Sequence, residues 1–219
     1  MSRSGRPSQF DREAALEAAL MAFWRDGYQA NSVKALSERL GITRSSFYNA
    51  FESREAMFME AFERYLERSP DRALAAVPLE GSVCALITAT FKTICESLTL
   101  DPDAKGCLAV NSVGALCNVD AEIGPKVAAH MIARLERIET LLKAAVARGE
   151  LPPDADITAT ALALKTFLVG LNSMAKVLPK RSALWPAART TLVAFDLLCE
   201  DAELENSSPA SFQEKTTVK

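Results

Sequence analysis

The chain has 219 residues, of which 49% are hydrophobic and 24% are charged. This length can bury a sizeable core, in one large domain or in one small and one larger domain. The net charge of −3 argues against a protein that coats nucleic acid indiscriminately. The N-terminus is polar and basic without an apolar signal region, and we expect no apolar run to reach the length of a membrane span, so a cytoplasmic location is predicted. No alternating β-branched run favours a sheet, and the predicted class is all-α.

The charge is unevenly distributed along the chain. Residues 1–51 hold seven Lys and Arg against five Asp and Glu, whereas residues 52–68 hold three against five. Residues 69–219 hold 15 against 18. The basic excess therefore lies in the N-terminal part, where a protein with one small DNA-binding face would meet phosphates.

One amphipathic helix is predicted before residues 31–51 and another after them. The first has Asp11 as its N-cap and ends at Gly27, and the later one has Ser53 as its N-cap. Each helix has an apolar face. The residues of these faces are Ala15, Leu16, Ala19, Leu20 and Phe23 in the first helix and Met57, Phe58, Ala61, Phe62 and Tyr65 in the later one.

Between them, residues 31–51 predict two short helices joined by a tight turn. Ser32 is the candidate N-cap of the first helix, Gly41 supplies the positive φ at its end, and Thr43 is the candidate N-cap of the second. A small core is expected from six apolar residues. They are Ala35, Leu36, Leu40, Ile42, Phe47 and Phe51.

A polar stripe is left on the second of these short helices. It consists of Thr43, Arg44, Ser45, Tyr48 and Asn49. In a helix-turn-helix the second helix offers such side chains to base edges in the major groove. The alternative is an ordinary helical hairpin with a solvated second helix.

Residues 5–68 resemble the N-terminal DNA-binding domain of the TetR family of bacterial repressors. In two places the chain departs from the family pattern: Arg54 stands where lysine is more common, which keeps the positive charge, and Asn31 stands where a small residue or threonine is more common, which we expect to matter little. The segments that carry the resemblance are GRP (5–7), AFWRDGY (22–28), LGITRSSFYNAF (40–51) and SREAMF (53–58).

The polar stripe predicts a set of DNA contacts, and a dimer would double them on a palindromic double-stranded DNA operator. Arg44 is expected to contact a base, most simply guanine, with Thr43 and Ser45 at the helix start. Tyr48, Arg54 and Ser32 are expected to reach phosphates. The full set of predicted DNA-binding residues is Arg6, Ser32, Thr43, Arg44, Ser45, Tyr48, Asn49 and Arg54.

Five further helices are predicted after a connector at residues 69–78. They span about 81–100, 106–117, 120–148, 154–178 and 182–202, and the 106–117 helix is so apolar that we expect it to lie deep inside its domain. The predicted domains are a helix-turn-helix domain (1–52), a connecting helix (53–68), a ligand-binding and dimerisation domain (69–204) and a disordered tail (205–219).

The last two helices carry more apolar residues than one buried face needs. They predict a two-fold interface of a homodimer, which the family resemblance also implies, and Phe167 and Leu192 are expected within it. The alternative is that these residues belong to an intramolecular core.

The resemblance also implies that the C-terminal domain encloses a small-molecule inducer. Apolar walls with a few amides suit a small, mostly apolar ligand. The alternative for each residue is plain core. The candidates are Phe91, Cys95, Cys107, Val110, Asn111, Gly114, Phe167, Leu171, Asn172 and Met174.

Cys107 carries a second hypothesis, that of a thiol sensor of electrophiles or oxidants. It is placed at a helix start beside Lys105, and both a helix N-terminus and a cation favour the thiolate. GCLAVNS (106–112) also resembles a motif of one TetR subgroup, in which some members use this cysteine as a sensor and others bury it. The other four cysteines are predicted to be core.

Other classes of protein are less well supported by the sequence. The single histidine, His130, has no cysteine or carboxylate at metal spacing, and no cofactor or metal site is predicted. No catalytic motif is present, so an enzyme is not expected. A helical protein–protein adaptor without DNA binding stays an alternative, although it would not need the polar stripe.

Overall fold

A computed structural model describes residues 10–75 and 81–199. All regular structure in these ranges is helical, which confirms the all-α class. The elements are α1 (Arg12–Asp26), α2 (Val33–Leu40), α3 (Arg44–Phe51), α4 (Arg54–Arg68), a 3₁₀ turn (Arg72–Ala75), α5 (Val83–Leu100), α6 (Leu108–Leu116), α7 (Ile123–Ala147), α8 (Ile157–Ala175) and α9 (Arg181–Ala194).

The predicted caps of the N-terminal helices are present. The Asp11 carboxylate accepts hydrogen bonds from the amides of Glu13 and Ala14 at the start of α1, at 3.0 and 3.1 Å. The hydroxyl of Ser53 accepts from the amide of Ala56 at 3.0 Å. These side chains satisfy amides that have no partner inside the helix, which fixes where each helix begins.

The chain divides into two compact units. The first contains Met1–Ser69 and Cys107–His130, and the second contains Pro70–Gly106 and Met131–Lys219. The predicted domains follow the chain in order, whereas residues 107–130 group with the N-terminal helices. The boundaries at 52, 68 and 204 stay predictions as functional boundaries, and the tail predicted at 205–219 lies outside the described residues.

The core of the first unit lies along the seam between α1 and α4. Phe23 of α1 packs edge-on against Phe58 of α4 with ring centroids 5.2 Å apart, and Trp24 packs against Tyr65 at 5.0 Å. All ten apolar positions predicted for these two helices are buried. The amphipathic pattern therefore identified both inner faces correctly.

Helix α6 does not lie deep inside the protein, and that expectation is wrong. It buries one face, formed by Leu108, Ala109, Ser112 and Leu116, while Gly114 is exposed. The sequence misled because apolar residues are not always buried, and more than half of a folded protein's accessible surface is apolar.

The second unit has its own core, built from α5, the later part of α7, α8 and α9. Phe91 of α5 stacks on Phe167 of α8 with centroids 6.2 Å apart. Helix α9 ends at Ala194, earlier than predicted, and residues 195–199 continue in a non-helical conformation. This segment is held to α5 because the hydroxyl of Thr88 donates to the carbonyl of Leu197 and accepts from the amide of Cys199.

Helices α5 and α8 are long and apolar enough to cross a membrane by length and composition alone, which corrects the expectation that no apolar run has that length. The test is weak evidence, because core helices of globular proteins pass it too. Half or more of α5 (56%) is buried inside the protein. Helix α8 is 28% buried, so much of its apolar surface is exposed.

Candidate nucleic-acid interface

The turn between α2 and α3 is fixed by local backbone geometry. Gly41 adopts the left-handed conformation with φ 66°, and its amide returns to the last turn of α2. The amide of Ile42 donates to the carbonyl of Ser37 at 3.0 Å. The Thr43 hydroxyl then accepts from the amide of Ser46 at 3.1 Å and starts α3. This is the tight connection that a helix-turn-helix needs.

The predicted polar stripe lies on the exposed side of α3. Phe47 and Phe51 are the buried residues of this helix, and they anchor it to the core of the first unit. Tyr48 is 51% exposed. Among the described residues Arg44 makes no ion pair, so its guanidinium is available to an external partner. The exposed residues of the stripe are Thr43, Arg44, Ser45, Tyr48 and Asn49, and Ser46, which sequence reasoning missed, is exposed as well.

Asn31 is a structural residue whose importance the sequence analysis missed. Its side chain is 2% exposed, and its amide nitrogen donates to the carbonyls of Ala22 (3.1 Å) and Gly27 (2.7 Å). These two bonds hold the start of α2 against the end of α1. We therefore predict that this departure from the family pattern matters for stability, contrary to the expectation from the sequence.

Arg12 contacts the end of α3, a role that was not predicted from the sequence. Its Nε donates to the carbonyl of Ala50 at 3.0 Å, and its Nη2 lies 2.6 and 2.7 Å from the two carboxylate oxygens of Glu60. The guanidinium also lies over the ring of Phe51, 4.9 Å from its centroid. One side chain thus joins α1, α3 and α4.

Arg54 lies at the start of α4 and is partly held by its own domain. Its guanidinium lies 3.9 Å from the centroid of the Tyr28 ring, and its Nε lies 3.6 Å from a Glu55 carboxylate oxygen. The Tyr28 hydroxyl donates to Glu55 at 2.7 Å. Burial and this negatively charged acceptor both raise the pKa of Tyr28, so its hydroxyl stays a donor at neutral pH. These contacts hold the Arg54 cation at the start of α4, where a phosphate contact is predicted.

Ser32 and Arg6 are the remaining predicted DNA contacts. The hydroxyl of Ser32 is exposed and accepts from the amide of Ala35 at 3.2 Å, which leaves its proton free to be donated to a phosphate. Arg6 lies outside the described residues. The assignment of base and phosphate contacts within the set stays a prediction.

The predicted inducer-contacting residues are divided between the two units. Phe91 and Phe167 are in contact in the second unit, and Asn172 is buried with its amide donating to the carbonyl of Leu168 at 2.9 Å. Met174 is 53% exposed, which does not suit an enclosed pocket of one chain. The second-unit candidates are Phe91, Cys95, Phe167, Leu171, Asn172 and Met174, and the first-unit candidates are Cys107, Val110, Asn111 and Gly114.

Cys107 is the N-cap residue of α6 and is partly buried, and its side chain makes no capping hydrogen bond. The cation predicted to assist it is engaged elsewhere. The Lys105 ammonium lies 2.6 Å from an oxygen of Asp101 and 3.1 Å from one of Asp103, so its charge is neutralised locally. Cys95 is fully buried, and burial raises its pKa to about 11. Both observations favour unreactive thiols.

The single histidine, His130, lies in the first unit. His130 packs edge-on against Phe62, with centroids 5.5 Å apart, and no cluster of metal-ligating side chains is found within the described residues.

Leu192 is fully buried in the core of the second unit, and Phe167 is partly buried against Phe91. Leu192 therefore does not lie on the outer surface of α9, which corrects the expectation that it lies in an interface. The partly exposed Phe167 stays a predicted interface residue.

Two family models match the chain. The model described as "Bacterial regulatory proteins, tetR family" matches residues 15–61, which include the whole helix-turn-helix. The model described as "Tetracyclin repressor-like, C-terminal domain" matches residues 84–191, from α5 to α9. Together they account for most of the described chain.

Curated relatives match over nearly the full length. The HTH-type transcriptional repressor ComR of Escherichia coli (strain K12) is 30% identical over 189 residues, which cover 86% of this chain and 90% of ComR. The uncharacterized HTH-type transcriptional regulator YezE of Bacillus subtilis (strain 168) is 29% identical over 178 residues, covering 79% of this chain and 90% of YezE.

Solved structures are similar as well. A cysteine mutant of the TetR family transcriptional regulator CifR, complexed with 26-bp double-strand operator DNA, superposes with a TM-score of 0.75 at 28% identity, covering 87% of this chain and 100% of that one. A TetR transcriptional regulator from Chloroflexus aurantiacus gives a TM-score of 0.70 at 23% identity, covering 83% and 92%. The second likeness concerns the fold alone.

Proposed function

Because the chain belongs to the TetR family of bacterial transcriptional regulators, we propose that it represses transcription as a homodimer on a palindromic operator and is released by a small-molecule inducer. Members of this family are DNA-binding regulators and not enzymes, and the chain is accordingly a DNA-binding transcriptional repressor of this family. The adaptor alternative without DNA binding is therefore wrong. Family regulators are in general soluble cytoplasmic proteins, and we propose the same location here.

The observation that carries the proposal is the exposed polar stripe of α3 on a helix that two buried phenylalanines fix in place. In a helix-turn-helix such a helix enters the major groove with its N-terminal residues at the base edges. Thr43, Arg44 and Ser45 occupy that end of α3. Tyr48, Arg54 and Ser32 are proposed to contact phosphates, which set the position of the helix on the duplex.

The test of DNA binding is selection of an operator from random duplexes, followed by titration of the selected duplex and of a scrambled one at several salt concentrations. A half-site repeated as an inverted palindrome and a steep salt dependence are expected. Equal affinity for the selected and scrambled duplexes would contradict sequence-specific binding.

The exposed apolar surface of α8 and α9 supports the homodimer. Leu162 and Met174 of α8 are 54% and 53% exposed, and Val193 of α9 is 51% exposed. An exposed apolar patch built from side chains of these two helices would be typical of an interface. A dimer would also double the few base contacts that one α3 helix can make.

The dimer is tested with Leu162→Glu and Val193→Glu, which place a charge in the proposed interface and should give monomers with weak operator binding. Val119→Glu is the matched control, because Val119 is 69% exposed but lies outside α8 and α9. Sedimentation velocity measures the species, and far-UV circular dichroism checks that the helices persist. Dimers of unchanged stability for both variants would exclude this surface.

Release by an inducer is supported by the size and apolar composition of the second unit, and the proposed residues are those around Phe91 and Phe167. A ligand can cause release only if it binds the DNA-free conformation more tightly than the DNA-bound one. Release by modification of Cys107 is the alternative, and the neutralised Lys105 beside it favours the non-covalent ligand.

A further inference from the structure

Arg134 occupies an unusual position in the second unit. It lies on α7 one turn before Ile138 and two turns before Leu141, which are 4% and 1% exposed. Helical residues separated by four and seven positions lie on one face. Arg134 thus continues the stripe with which α7 faces the core of this unit, where an apolar residue would be expected.

The guanidinium of Arg134 lacks a partner in the described part of the chain. Its Nη1 is buried, and no hydrogen bond or ion pair to any described residue is found for it. Other arginines of this unit differ: Arg137 donates through Nε to the carbonyl of Leu74 at 3.0 Å, and Arg148 donates to the carbonyl of Gly81.

A guanidinium keeps its proton in proteins, so it cannot relieve this position by becoming neutral. Arg134 as a whole is partly exposed, but its buried Nη1 donor has no acceptor, which destabilises the protein. A carboxylate would supply Arg134 with both oxygen acceptors and an opposite charge.

From this geometry we infer that the inducer carries a carboxylate that binds Arg134, on a body apolar enough to lie beside Ile138 and Leu141. The inference rests on the proposed function, since it names the chemical class of the proposed inducer. Arginine matches a carboxylate because two parallel N–H groups can bind its two oxygens. The apolar body follows from the residues that share this face of α7.

The first experiment needs no ligand. Arg134→Met replaces the charged group by an apolar one of similar length, so the melting temperature of the ligand-free protein should rise. Arg137→Met is the matched control on the same helix, and it should lower the melting temperature because a hydrogen bond is lost. A fall in melting temperature for Arg134→Met as well would show that Arg134 already has a partner in the protein, and would overturn the inference.

The second experiment uses straight-chain alkanoates from butyrate to palmitate, together with benzoate, each paired with its primary amide. At least one acid should raise the melting temperature of the wild-type protein and release a labelled operator, whereas its amide should do neither. Arg134→Met should lose both responses and keep operator binding. Arg134→Lys keeps the charge but lacks the two parallel N–H groups. Its response to the acid should therefore be weaker than that of the wild type.

Three outcomes would overturn the inference: acids and amides acting equally, an acid response that survives in Arg134→Met, or no acid response in the wild type. Failure of the proposed function is distinguishable, because it would appear as loss of specific operator binding by the unliganded wild-type protein. Release by a neutral compound would keep the proposed function and exclude the carboxylate. Ser37→Ala, which removes a buried unpaired hydroxyl in the first unit, controls for stabilisation without any change in ligand response.

Discussion

The Nη2 atom of Arg12 lies 2.6 and 2.7 Å from the two carboxylate oxygens of Glu60, while Nε of the same side chain donates to the Ala50 carbonyl in the last turn of α3. The start of α1, the end of α3 and the middle of α4 therefore meet at one guanidinium. Since the carbonyls at the end of a helix carry partial negative charge, the contact is favourable electrostatically as well as by hydrogen bonding. It fixes the orientation of α3 within its unit.

We predict that Arg12→Lys reduces discrimination between the operator and other duplexes. An ammonium cannot donate to Ala50 and Glu60 in the same geometry, so α3 gains orientational freedom. Stability should fall by about 1 kcal/mol or less, because the pair is more than a third exposed and screened by water. The measurement is the ratio of affinities for operator and scrambled duplex.

The control for Arg12 is Arg64→Lys. Arg64 pairs with Glu13 across the same α1–α4 seam, and within the described ranges it makes no hydrogen bond or ion pair with α3. Its ratio of affinities should match that of the wild type. If Arg12→Lys and Arg64→Lys lower discrimination equally, Arg12 acts through general stability and has no particular role in placing α3.

Arg44→Ala should weaken operator binding by roughly 1–3 kcal/mol and relax the preference at one base pair per half-site, because the lost contact is to a base edge. Tyr48→Phe should weaken all duplexes about equally, since a lost phosphate contact carries no sequence information. The measurement is the affinity of Arg44→Ala, and of the wild type, for every single-base variant of the operator. Unchanged preference at all positions would remove Arg44 from base recognition.

Asn31→Ala should destabilise the protein by about 1–3 kcal/mol, since it removes the two hydrogen bonds that a buried amide donates to the carbonyls of Ala22 and Gly27. The control is Asn49→Ala, an amide removed from the exposed face of α3, which should leave stability within about 0.5 kcal/mol of the wild type. Urea unfolding measures both. Equal stability of Asn31→Ala and Asn49→Ala would show that the two hydrogen bonds contribute nothing net.

The sequence predicted the helix caps and the turn, which depend on residues close together in the chain. Asp11, Ser53 and Gly41 act within four residues of the chain, so caps and the turn could be identified without a structure. The role of Arg12 could not, because its partners are 38 and 48 residues away. For α6 and Leu192 the apolar character was evident but the buried side was not, because which face of an apolar helix is buried depends on the elements packed against it.

Glu150 should make the stability of the second unit depend on pH. Burial opposes ionisation of its carboxylate, but hydrogen bonds from the Cys84 amide, the Ser82 hydroxyl and the Val83 amide outweigh it and lower the pKa below the usual 4.5. A lowered pKa in the folded state stabilises the protein above pH 4.5, and this contribution is lost as the pH falls through the folded value.

Glu150→Gln should therefore melt at a lower temperature than the wild type at neutral pH, and the difference should shrink in acid. Glu136→Gln, at an exposed position of α7, is the control and should follow the wild type at each pH. A difference between Glu150→Gln and the wild type that is the same at neutral and acid pH would show that the start of α5 does not depend on the charge of Glu150.

Cys107 should react slowly with electrophiles in the native protein. The α6 N-terminus favours its thiolate, but the neighbouring Lys105 is bound to Asp101 and Asp103 and adds little further attraction. We predict that electrophile concentrations sufficient to release wild-type protein from the operator release Cys107→Ser equally. Cys117→Ser, at the partly buried cysteine that follows α6, is the matched variant. If Cys107→Ser alone resists release, modification adds bulk and polarity at the start of α6, and the repressor is a thiol sensor.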